Sequence, residues 1–361
     1  MNRKNAFVRF ALTPFAYLYS FVVWFRNRLF DWKILPSVKY DAPVICVGNI
    51  SVGGTGKTPL TEYLIALLKK QYRIASLSRG YKRQTKGFVW VEADSTALEA
   101  GDEACQVKQK FPGVLVAVDG NRRRGIDRLL SLPADERPEV VLLDDAFQHR
   151  YVTPSLAIML TGFHNLYYHD AMLPAGNLRE SIRGVRRAGI IVVSKCPGII
   201  RPDDVRMIKN NMKLQAGQRL YFTTVKYDPL KPLFPSLALH PCSLNEIEGD
   251  EALLLVTGIA NPQPLIDTVK SYSSHFKSCI FPDHHRFTIA DIQDIDVEFR
   301  KMTSLKKRLI TTEKDAMRLK TLTFLPDEWK AALYYLPVSV EFLFDQGEDF
   351  DARIIEHIKI N

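Results

Sequence analysis

The stretch Ser51-Val52-Gly53-Gly54-Thr55-Gly56-Lys57-Thr58 follows an apolar run at residues 43–49 and precedes a helical pattern at residues 58–70. A buried strand, a glycine-rich turn and a helix in this order are typical of a phosphate-binding P-loop. The glycines permit positive φ angles that aim successive N–H groups at one phosphate, and the N-terminus of the helix adds its dipole. Lys57 is predicted to reach the β- and γ-phosphates of ATP, and the Thr58 hydroxyl to bind Mg²⁺.

The loop departs from the usual G-x-x-x-x-G-K-[ST] pattern at one position, because Ser51 replaces the first glycine. The remaining glycines, Gly53, Gly54 and Gly56, keep the conformational freedom that the turn needs. We therefore predict that the whole loop from Ser51 to Thr58, including Val52 and Thr55, surrounds the nucleotide phosphates.

Two carboxylates follow a second apolar strand, in the string VVLLDD at residues 140–145. Asp144 and Asp145 are predicted metal ligands, one bound directly to Mg²⁺ and the other through water, since Mg²⁺ keeps much of its hydration shell. The alternative interpretation is a solvated turn at the end of a strand. The P-loop upstream favours the metal site.

Short β-branched strands alternate with helical patterns on both sides of these motifs, which predicts a wound α/β fold. The next strands are expected at residues 73–78, 156–160 and 190–194, and a later series at residues 253–257, 277–281 and 308–312. Prolines at 229, 232, 235 and 241 suggest a connection between two domains. We expect a P-loop domain with a mostly parallel sheet at residues 36–220. A smaller α/β domain should follow at residues 221–361, and the end of the chain could pack back on the first domain.

The segment 1–35 differs from the rest of the chain. Residues 6–25 are apolar and aromatic, with Arg9 and Pro14 among them, and basic residues bracket them. The flanking basic residues are Arg3 and Lys4 before the segment, and Arg26, Arg28 and Lys33 after it. A signal peptide would need small residues at a cleavage site. A spanning helix would bury Arg9 and Pro14, and a helix packed on the body remains possible. We favour an interfacial helix, with aromatic residues at headgroup depth and basic residues on anionic lipid.

The overall composition is that of a globular protein, with 46% hydrophobic and 25% charged residues among 361. The formal net charge of +9 indicates an anionic partner. Nucleic acid is disfavoured because the sequence has no zinc finger, helix-turn-helix or RNP motif. The five cysteines have no metal-ligand spacing, which favours free thiols in a reducing compartment.

Six further motifs occur in order along the chain, and together with residues 48–59 they resemble the tetraacyldisaccharide 4′-kinase family. They are Ser78-Arg79-Gly80-Tyr81, Gly101-Asp102-Glu103-Ala104, Asp144-Asp145-Ala146-Phe147-Gln148-His149, Leu178-Arg179-Glu180, Thr257-Gly258-Ile259-Ala260-Asn261-Pro262 and Phe281-Pro282-Asp283-His284-His285. Lys82 and Ala146 stand where the family usually has glycine.

The resemblance implies a kinase that transfers the γ-phosphate of ATP to the 4′-hydroxyl of a tetra-acylated glucosamine disaccharide 1-phosphate, giving lipid IVA. It also implies that the N-terminal helix docks on the cytoplasmic face of the inner membrane. A P-loop regulatory or metallochaperone-type NTPase is the alternative function, since it shares the loop and the strand-end aspartates.

The resemblance further suggests the catalytic and substrate-binding residues. Asp102 is the expected base beside the acceptor, and His284 its expected partner, with the adjacent His285 as an alternative. Three substrate contacts are expected near the phosphates or the disaccharide, at Arg79, Arg179 and Glu180, with Glu180 acting on metal or on arginine. Thr312-Glu313-Lys314-Asp315 resembles a string that reads a nucleotide base, whereas Arg122-Arg123-Arg124 is expected to be a solvated basic face.

Overall fold

The computed structural model describes residues 6–237 and 241–360 of the chain. Arg3 and Lys4, the basic residues expected before the N-terminal helix, lie outside the described residues. The helices are α1 (Ala6–Asp31), α2 (Lys57–Leu68), α3 (Ala97–Ala100), α4 (Asp102–Lys110), α5 (Arg122–Leu130), α6 (Pro202–Met212), α7 (Gln263–Lys270), α8 (Ile289–Arg300), α9 (Glu313–Leu319), α10 (Asp327–Ala332) and α11 (Gly347–Ile360).

The strands fall into two sheets. They are β1 (Val44–Asn49), β2 (Ile74–Ser78), β3 (Val89–Trp90), β4 (Leu115–Val118), β5 (Val140–Asp144), β6 (Leu156–Gly162), β7 (Ile190–Cys196), β8 (Arg219–Tyr227), β9 (Lys231–Pro232), β10 (Ala252–Thr257), β11 (Phe276–Ile280), β12 (Lys307–Thr312), β13 (Leu333–Leu336) and β14 (Val338–Phe342).

The larger sheet has the strand order β14-β8-β7-β6-β1-β5-β2-β4-β3. The seven strands from β8 to β4 pair in parallel, and only the two edge strands run antiparallel to their neighbours. Every residue of the central strand β1 is buried. Strands covered on both faces are apolar throughout, which explains the continuous apolar run before the P-loop. The predicted mostly parallel α/β fold is confirmed.

Helix α2 carries the P-loop on its N-terminus and is fixed by one apolar face. Leu60, Leu64, Ile65 and Leu68 are at most 1% exposed and follow the spacing of a single helical face. Burying each such side chain contributes roughly 1.5–3 kcal/mol. The position of the phosphate-binding turn is therefore set by core packing of the helix behind it.

The smaller sheet has the order β11-β10-β12-β13-β9, parallel from β11 to β13 and antiparallel at β9. Strands β10, β11 and β12 are those expected at residues 253–257, 277–281 and 308–312. Helices α7 to α10 surround this sheet, and Trp329 of α10 is completely buried. The domain is a second parallel α/β unit, so its strand ends also form an edge at which loops can meet.

The end of the chain returns to the larger sheet. Strand β14 pairs with β8, and Phe350 of α11 packs against Tyr63 of α2 and Tyr221 of β8 with ring centroids 6.0 and 5.2 Å apart. The division expected at residues 220 and 221 needs correction, because it falls inside β8. The alternating pattern of a strand does not indicate which sheet the strand joins.

Helix α1 is continuous through Pro14 and largely exposed. Its segment Val8–Asp31 is long and apolar enough, by length and composition, to cross a membrane. Phe10, Leu18 and Phe21 are 80%, 63% and 59% exposed. The helix packs on the body at Ala16, which is 8% exposed, and at its C-terminal end, where Phe30 is 6% exposed and lies edge-on to Tyr151. The helix thus presents a large apolar surface that the other described residues leave uncovered.

Candidate active site

A cleft of about 1280 Å³ lies between the two domains, at the edge where the parallel strands of the larger sheet end. Loops that follow neighbouring parallel strands meet at such an edge, which is where α/β proteins bind ligands. The P-loop after β1, the two aspartates at the end of β5 and the loop after β2 all line this cleft, and the second domain contributes His284 and Lys314. The motifs that the sequence singled out separately therefore share one site.

The P-loop has the expected turn, with one correction. Gly53 has φ 114° and Gly56, the N-cap of α2, has φ 78°, conformations that side chains with a Cβ rarely adopt. Gly54 has no positive φ, so its role differs from the one predicted. A Cβ there would lie 3.6 Å from the Nζ of Lys195, an ordinary contact distance, so neither the backbone conformation nor crowding requires glycine at this position. The hydroxyl of Ser194 donates to the backbone oxygen of Thr55 at 2.7 Å and braces the turn.

Lys57, Arg179 and Asp145 form one charged cluster beside the P-loop. The Nζ of Lys57 lies 3.6 Å from Asp145, and a guanidinium nitrogen of Arg179 lies 3.2 Å from it. Burial opposes ionisation of Asp145, but the two cations outweigh it and hold the pKa of this carboxyl below its usual range. Asp145 also adopts φ 46°, a strained conformation of the kind that occurs at functional sites. The cluster brings together three residues that were predicted from three separate motifs.

Asp144, the other strand-end aspartate, is 3% exposed and accepts a hydrogen bond from Thr61 at 3.3 Å. Burial, followed by the nearby carboxylates Glu103 and Asp145, raises its pKa. A divalent cation would relieve this repulsion. The described residues contain no group of three His, Cys, Asp or Glu side chains that could hold a metal by itself. Mg²⁺ suits such a site, because it binds through one or two carboxylates together with waters and phosphate oxygens.

Asp102 and His284 meet across the cleft. Asp102 is the first residue of α4, and its Oδ2 lies 2.8 Å from the Nδ1 of His284, which has φ 59°. Burial disfavours the charged form of Asp102. Hydrogen bonds from His284 and Arg318, with the charge of Arg318, overcome that effect and lower the pKa of Asp102 to about 2. His285 instead pairs with Asp291, at 2.9 Å. Of the two adjacent histidines, His284 is the one placed on Asp102.

Complementary charges hold helix α9 of the second domain against α4. Lys314 pairs with Glu103 at 2.6 Å, and Glu313 pairs with Lys110 at 3.3 Å. Arg318 of α9 contacts Asp102 in the same way. Helix α4 of the first domain, which carries Asp102, is thus held to the second domain along its length.

The base-reading role suggested for the string at residues 312–315 is not supported. Asp315 is completely buried, and its carboxylate accepts hydrogen bonds from the backbone N–H of Gly258 at 2.9 Å and from the Thr312 hydroxyl at 2.7 Å. A carboxylate occupied by its own domain is not free to bind a base. The string is instead the N-terminal cap of α9.

The segment that carries Arg179 and Glu180 lies beside the P-loop. The N–H of Arg179 donates to the backbone oxygen of Ile50 at 2.7 Å, which places the arginine at the cleft. Glu180 is 2% exposed, and its carboxylate accepts from Arg187 at 2.7 Å and from Asn27 at 2.9 Å. Of the two partners expected for Glu180, metal or arginine, the described contact is with an arginine, and through Asn27 this residue also joins α1 to the body.

The arginine run at residues 122–124 is only partly a solvated face. Arg122 is 3% exposed and donates to the backbone oxygen of Asp119 at 3.0 Å and to that of Asp145 at 3.4 Å. Burial lowers its pKa to about 10. It supports the strained turn at Asp145. Arg123 and Arg124 are exposed, as expected.

Helix α1 contacts the same loops. The Tyr19 hydroxyl donates to the backbone oxygen of Arg179 at 3.0 Å, and Arg26 donates to that of Gln148 at 2.6 Å. The apolar helix is therefore attached directly to segments that line the cleft. Arg79 also lines it and is exposed, in keeping with its predicted role toward an anionic ligand.

Sequence reasoning missed four residues of this site. Glu103 and Lys314 stand next to predicted residues within recognised motifs, so the motifs contained a signal for them. Lys195 and Arg318 had no such signal, since each acquires its neighbours only when distant elements pack together.

A P-loop, a strand-end pair of aspartates and an Asp–His pair facing the same cleft define a P-loop phosphotransferase. The family model described as Tetraacyldisaccharide-1-P 4′-kinase matches residues 8–359. The chain belongs to this family of ATP-dependent lipid kinases of lipid A biosynthesis.

Similar proteins support the same assignment over nearly the whole chain. The chain is 52% identical over 347 residues to a tetraacyldisaccharide 4′-kinase of Parabacteroides distasonis, covering 96% of this chain and 94% of the relative. It is 48% identical to a tetraacyldisaccharide 4′-kinase of Phocaeicola vulgatus, and the match covers 97% of this chain and 95% of the relative. Among solved structures, LpxK from Aquifex aeolicus in complex with ATP superposes with a TM-score of 0.72 at 28% identity, covering 97% and 99%.

Proposed function

We propose that this chain transfers the γ-phosphate of ATP to the 4′-hydroxyl of a tetra-acylated glucosamine disaccharide 1-phosphate, giving lipid IVA. One observation carries the proposal: a partly buried Asp102–His284 pair, contributed by two domains, lines the same cleft as the P-loop lysine Lys57. A nucleotide switch needs no ionised carboxylate opposite its P-loop, whereas a transferase needs one to receive a proton from the acceptor.

The chain's own residues divide the work of the reaction. Lys57 and Arg179 neutralise the charge on the transferring phosphoryl group, and the P-loop amides hold the β-phosphate. The acceptor hydroxyl forms the new bond to phosphorus as the bond to the β–γ bridging oxygen breaks, and ADP leaves. The hydroxyl proton passes to Asp102. Because the hydroxyl becomes acidic only as that bond forms, a carboxylate of low pKa can accept the proton late.

We infer that Mg²⁺ is held by Thr58, Asp144 and Asp145, together with phosphate oxygens and water. When bound, the ion supplies further positive charge at the β- and γ-phosphates. The raised pKa of Asp144, caused by its burial and by Glu103 and Asp145, supports this inference, because these carboxylates repel one another without a cation.

A second pocket, of about 540 Å³, adjoins the cleft and is strongly basic. It shares Arg79 and Tyr81 with the cleft, and Tyr81 lies edge-on to His284 with centroids 5.2 Å apart. Its charged lining residues are Arg79, Lys82, Arg83, Lys86, Arg124 and a single carboxylate, Asp119. We propose that this basic pocket binds the 1-phosphate of the acceptor while the 4′-hydroxyl lies at Asp102.

Replacing Lys82 and Lys86 together by glutamate tests this pocket. We expect the KM for the acceptor to rise at least about tenfold, since charge-assisted contacts to a phosphate each contribute about 1.5–3 kcal/mol. The KM for ATP should stay within about twofold. Arg123→Glu is the matched control, because this exposed arginine is outside the lining. For an acceptor that lacks the 1-phosphate, the double variant and the wild type should have the same KM. A tenfold rise in KM for that acceptor as well would contradict the assignment.

We propose that α1 attaches the enzyme to an anionic membrane surface, at the cytoplasmic face of the inner membrane. Its exposed aromatic and aliphatic residues suit the interface, and its last six residues include Arg26 and Arg28. Attachment would place the cleft at the membrane, where an acylated substrate resides.

Replacing Phe10, Leu18 and Phe21 by serine should weaken binding to anionic vesicles at least about a hundredfold, because each buried apolar side chain contributes roughly 1.5–3 kcal/mol. ATP binding should be unchanged, since Tyr19 and Arg26 stay in place. Co-sedimentation and nucleotide titration measure the two effects. The control replaces Ile289, Val297 and Leu305, exposed apolar residues of the second domain. Wild-type vesicle binding by the α1 variant would show that the helix is not the anchor.

The kinase and NTPase functions are separated by one assay. The protein is incubated with γ-labelled ATP, Mg²⁺ and the disaccharide 1-phosphate in mixed micelles, and lipid and aqueous phases are counted separately. We expect label on the lipid at the 4′ position. Release of labelled phosphate without labelled lipid would favour the NTPase.

A further inference from the structure

Arg318 lies where the two domains meet behind the candidate base. It is the sixth residue of α9, and its side chain is 9% exposed. Its Nη1 donates to Asp315 at 2.8 Å, and its Nε and Nη2 both donate to Oδ2 of Asp102, the Nε at 3.2 Å. The same Nη2 lies 3.1 Å from the Nδ1 of His284. One guanidinium therefore contacts both members of the Asp–His pair.

The second domain is built to hold this guanidinium in place. Asp315 is completely buried. Its Oδ2 accepts hydrogen bonds from the N–H of Gly258 and the hydroxyl of Thr312, and its Oδ1 accepts one from Arg318. A Cβ on Gly258 would lie 3.3 Å from that same Oδ1 and 3.0 Å from the backbone oxygen of Pro282. The glycine is thus required for the close packing around Asp315. Two motifs of the second domain, at residues 257–262 and 312–315, converge on the orientation of one arginine.

The contacts on Asp102 all fall on one oxygen. His284 and Arg318 both donate to Oδ2. Two donors on a single oxygen fix the rotation of the carboxylate about its Cβ–Cγ bond. None of these hydrogen bonds uses the other oxygen, Oδ1, which leaves it to accept a hydrogen bond from an acceptor hydroxyl.

We propose that Arg318 is a positioning residue for phosphoryl transfer: it orients Asp102 and places a positive charge against its carboxylate, so that the base is complete only when the second domain is docked. The proposal rests on the proposed function, in which Asp102 receives the acceptor proton. The charged and titratable groups around Asp102 are His284 and Asp283 after β11, Lys314 and Arg318 of α9, and Glu103 and Cys105 of α4 itself. Arg318 is the cation among them that contacts Asp102 directly.

The pH dependence of kcat/KM for the acceptor tests the role. In the wild type, Asp102 is ionised throughout the range from pH 5 to 9, because its pKa is about 2. Arg318→Gln removes the charge and leaves the burial, so the pKa should rise. Asp102 would then become protonated as the pH falls, and an acid limb should enter the measured range. For Arg318→Gln we expect kcat at pH 7 to fall about a hundredfold, with the KM for ATP within twofold of the wild-type value. Arg318→Lys should keep much of the wild-type rate and show no acid limb in its pH profile.

Arg308→Gln is the matched control. Arg308 is also a poorly exposed arginine of the second domain, but it pairs with Glu251, away from the cleft. This variant should lose thermal stability and keep the wild-type pH profile. Arg318→Gln with a reduced rate but no acid limb would show a merely structural role and overturn the proposal, as would a wild-type rate. Failure of the wild type to label the lipid would instead overturn the proposed function, so the two failures are distinguishable.

Discussion

Replacement of Lys57 by alanine is expected to reduce phosphoryl transfer about a hundred- to thousandfold, the effect of removing one preorganised charge that stabilises a transition state. Lys57 is the first residue of α2, and its ammonium lies 3.6 Å from Asp145, within the cluster that Arg179 completes. In the reaction this ammonium belongs on the β- and γ-phosphates. Without it, the proposed mechanism leaves Arg179, the P-loop amides and a bound Mg²⁺ to stabilise the charge that develops on the phosphoryl oxygens.

The measurement is single-turnover transfer of label to the lipid at saturating ATP, with ATP affinity determined separately by titration. This separation distinguishes weaker ATP binding from loss of transition-state stabilisation. Lys70→Ala is the control, since this exposed lysine lies beyond the other end of the same helix. A Lys57→Ala enzyme that keeps more than about a tenth of the wild-type rate would contradict the phosphate role.

The parts of the fold that sequence predicted are those set by local pattern. Strand β1 and helix α2 were foreseen because a fully buried strand is a continuous apolar run and the glycines mark the turn that follows it. The pairing of β14 with β8 was not foreseen, because it joins segments more than a hundred residues apart at an edge of the sheet. Nothing in the pattern of either strand identifies its partner.

The candidate site divides in the same way. Lys57, Asp102 and Asp144 lie in motifs whose residue order is itself informative, and each faces the cleft. Arg122 was expected in solvent because it stands in a run of three arginines, yet it is buried under the Asp145 turn. Charge runs on a short helix contain inward positions that only the packing of that helix can identify. Arg318 lies 216 residues from its partner Asp102, so its role could come only from the tertiary structure.

Asp102→Asn is expected to lower kcat about 10²–10⁴-fold, the usual contribution of a positioned general base. Asparagine has nearly the same shape, and its amide oxygen can still accept hydrogen bonds from His284 and Arg318. It does not take up the hydroxyl proton. ATP binding should be unaffected, because Asp102 makes no contact with the P-loop cluster among the contacts described for it. The loss should therefore fall on kcat for lipid labelling, with the KM for ATP unchanged.

The two adjacent histidines provide an internal control for this prediction. Each is hydrogen-bonded to an aspartate at nearly the same distance, but only the pair of His284 lines the cleft. His284 lies 2.8 Å from Asp102, and His285 lies 2.9 Å from Asp291. His284→Ala should reduce kcat, and adding it to Asp102→Asn should cost little more, since residues that act as one unit are not additive. His285→Ala should leave kcat near the wild-type value. Equal losses from the two histidine variants, or full additivity of Asp102→Asn with His284→Ala, would mean that the Asp102–His284 pair does not act as the base.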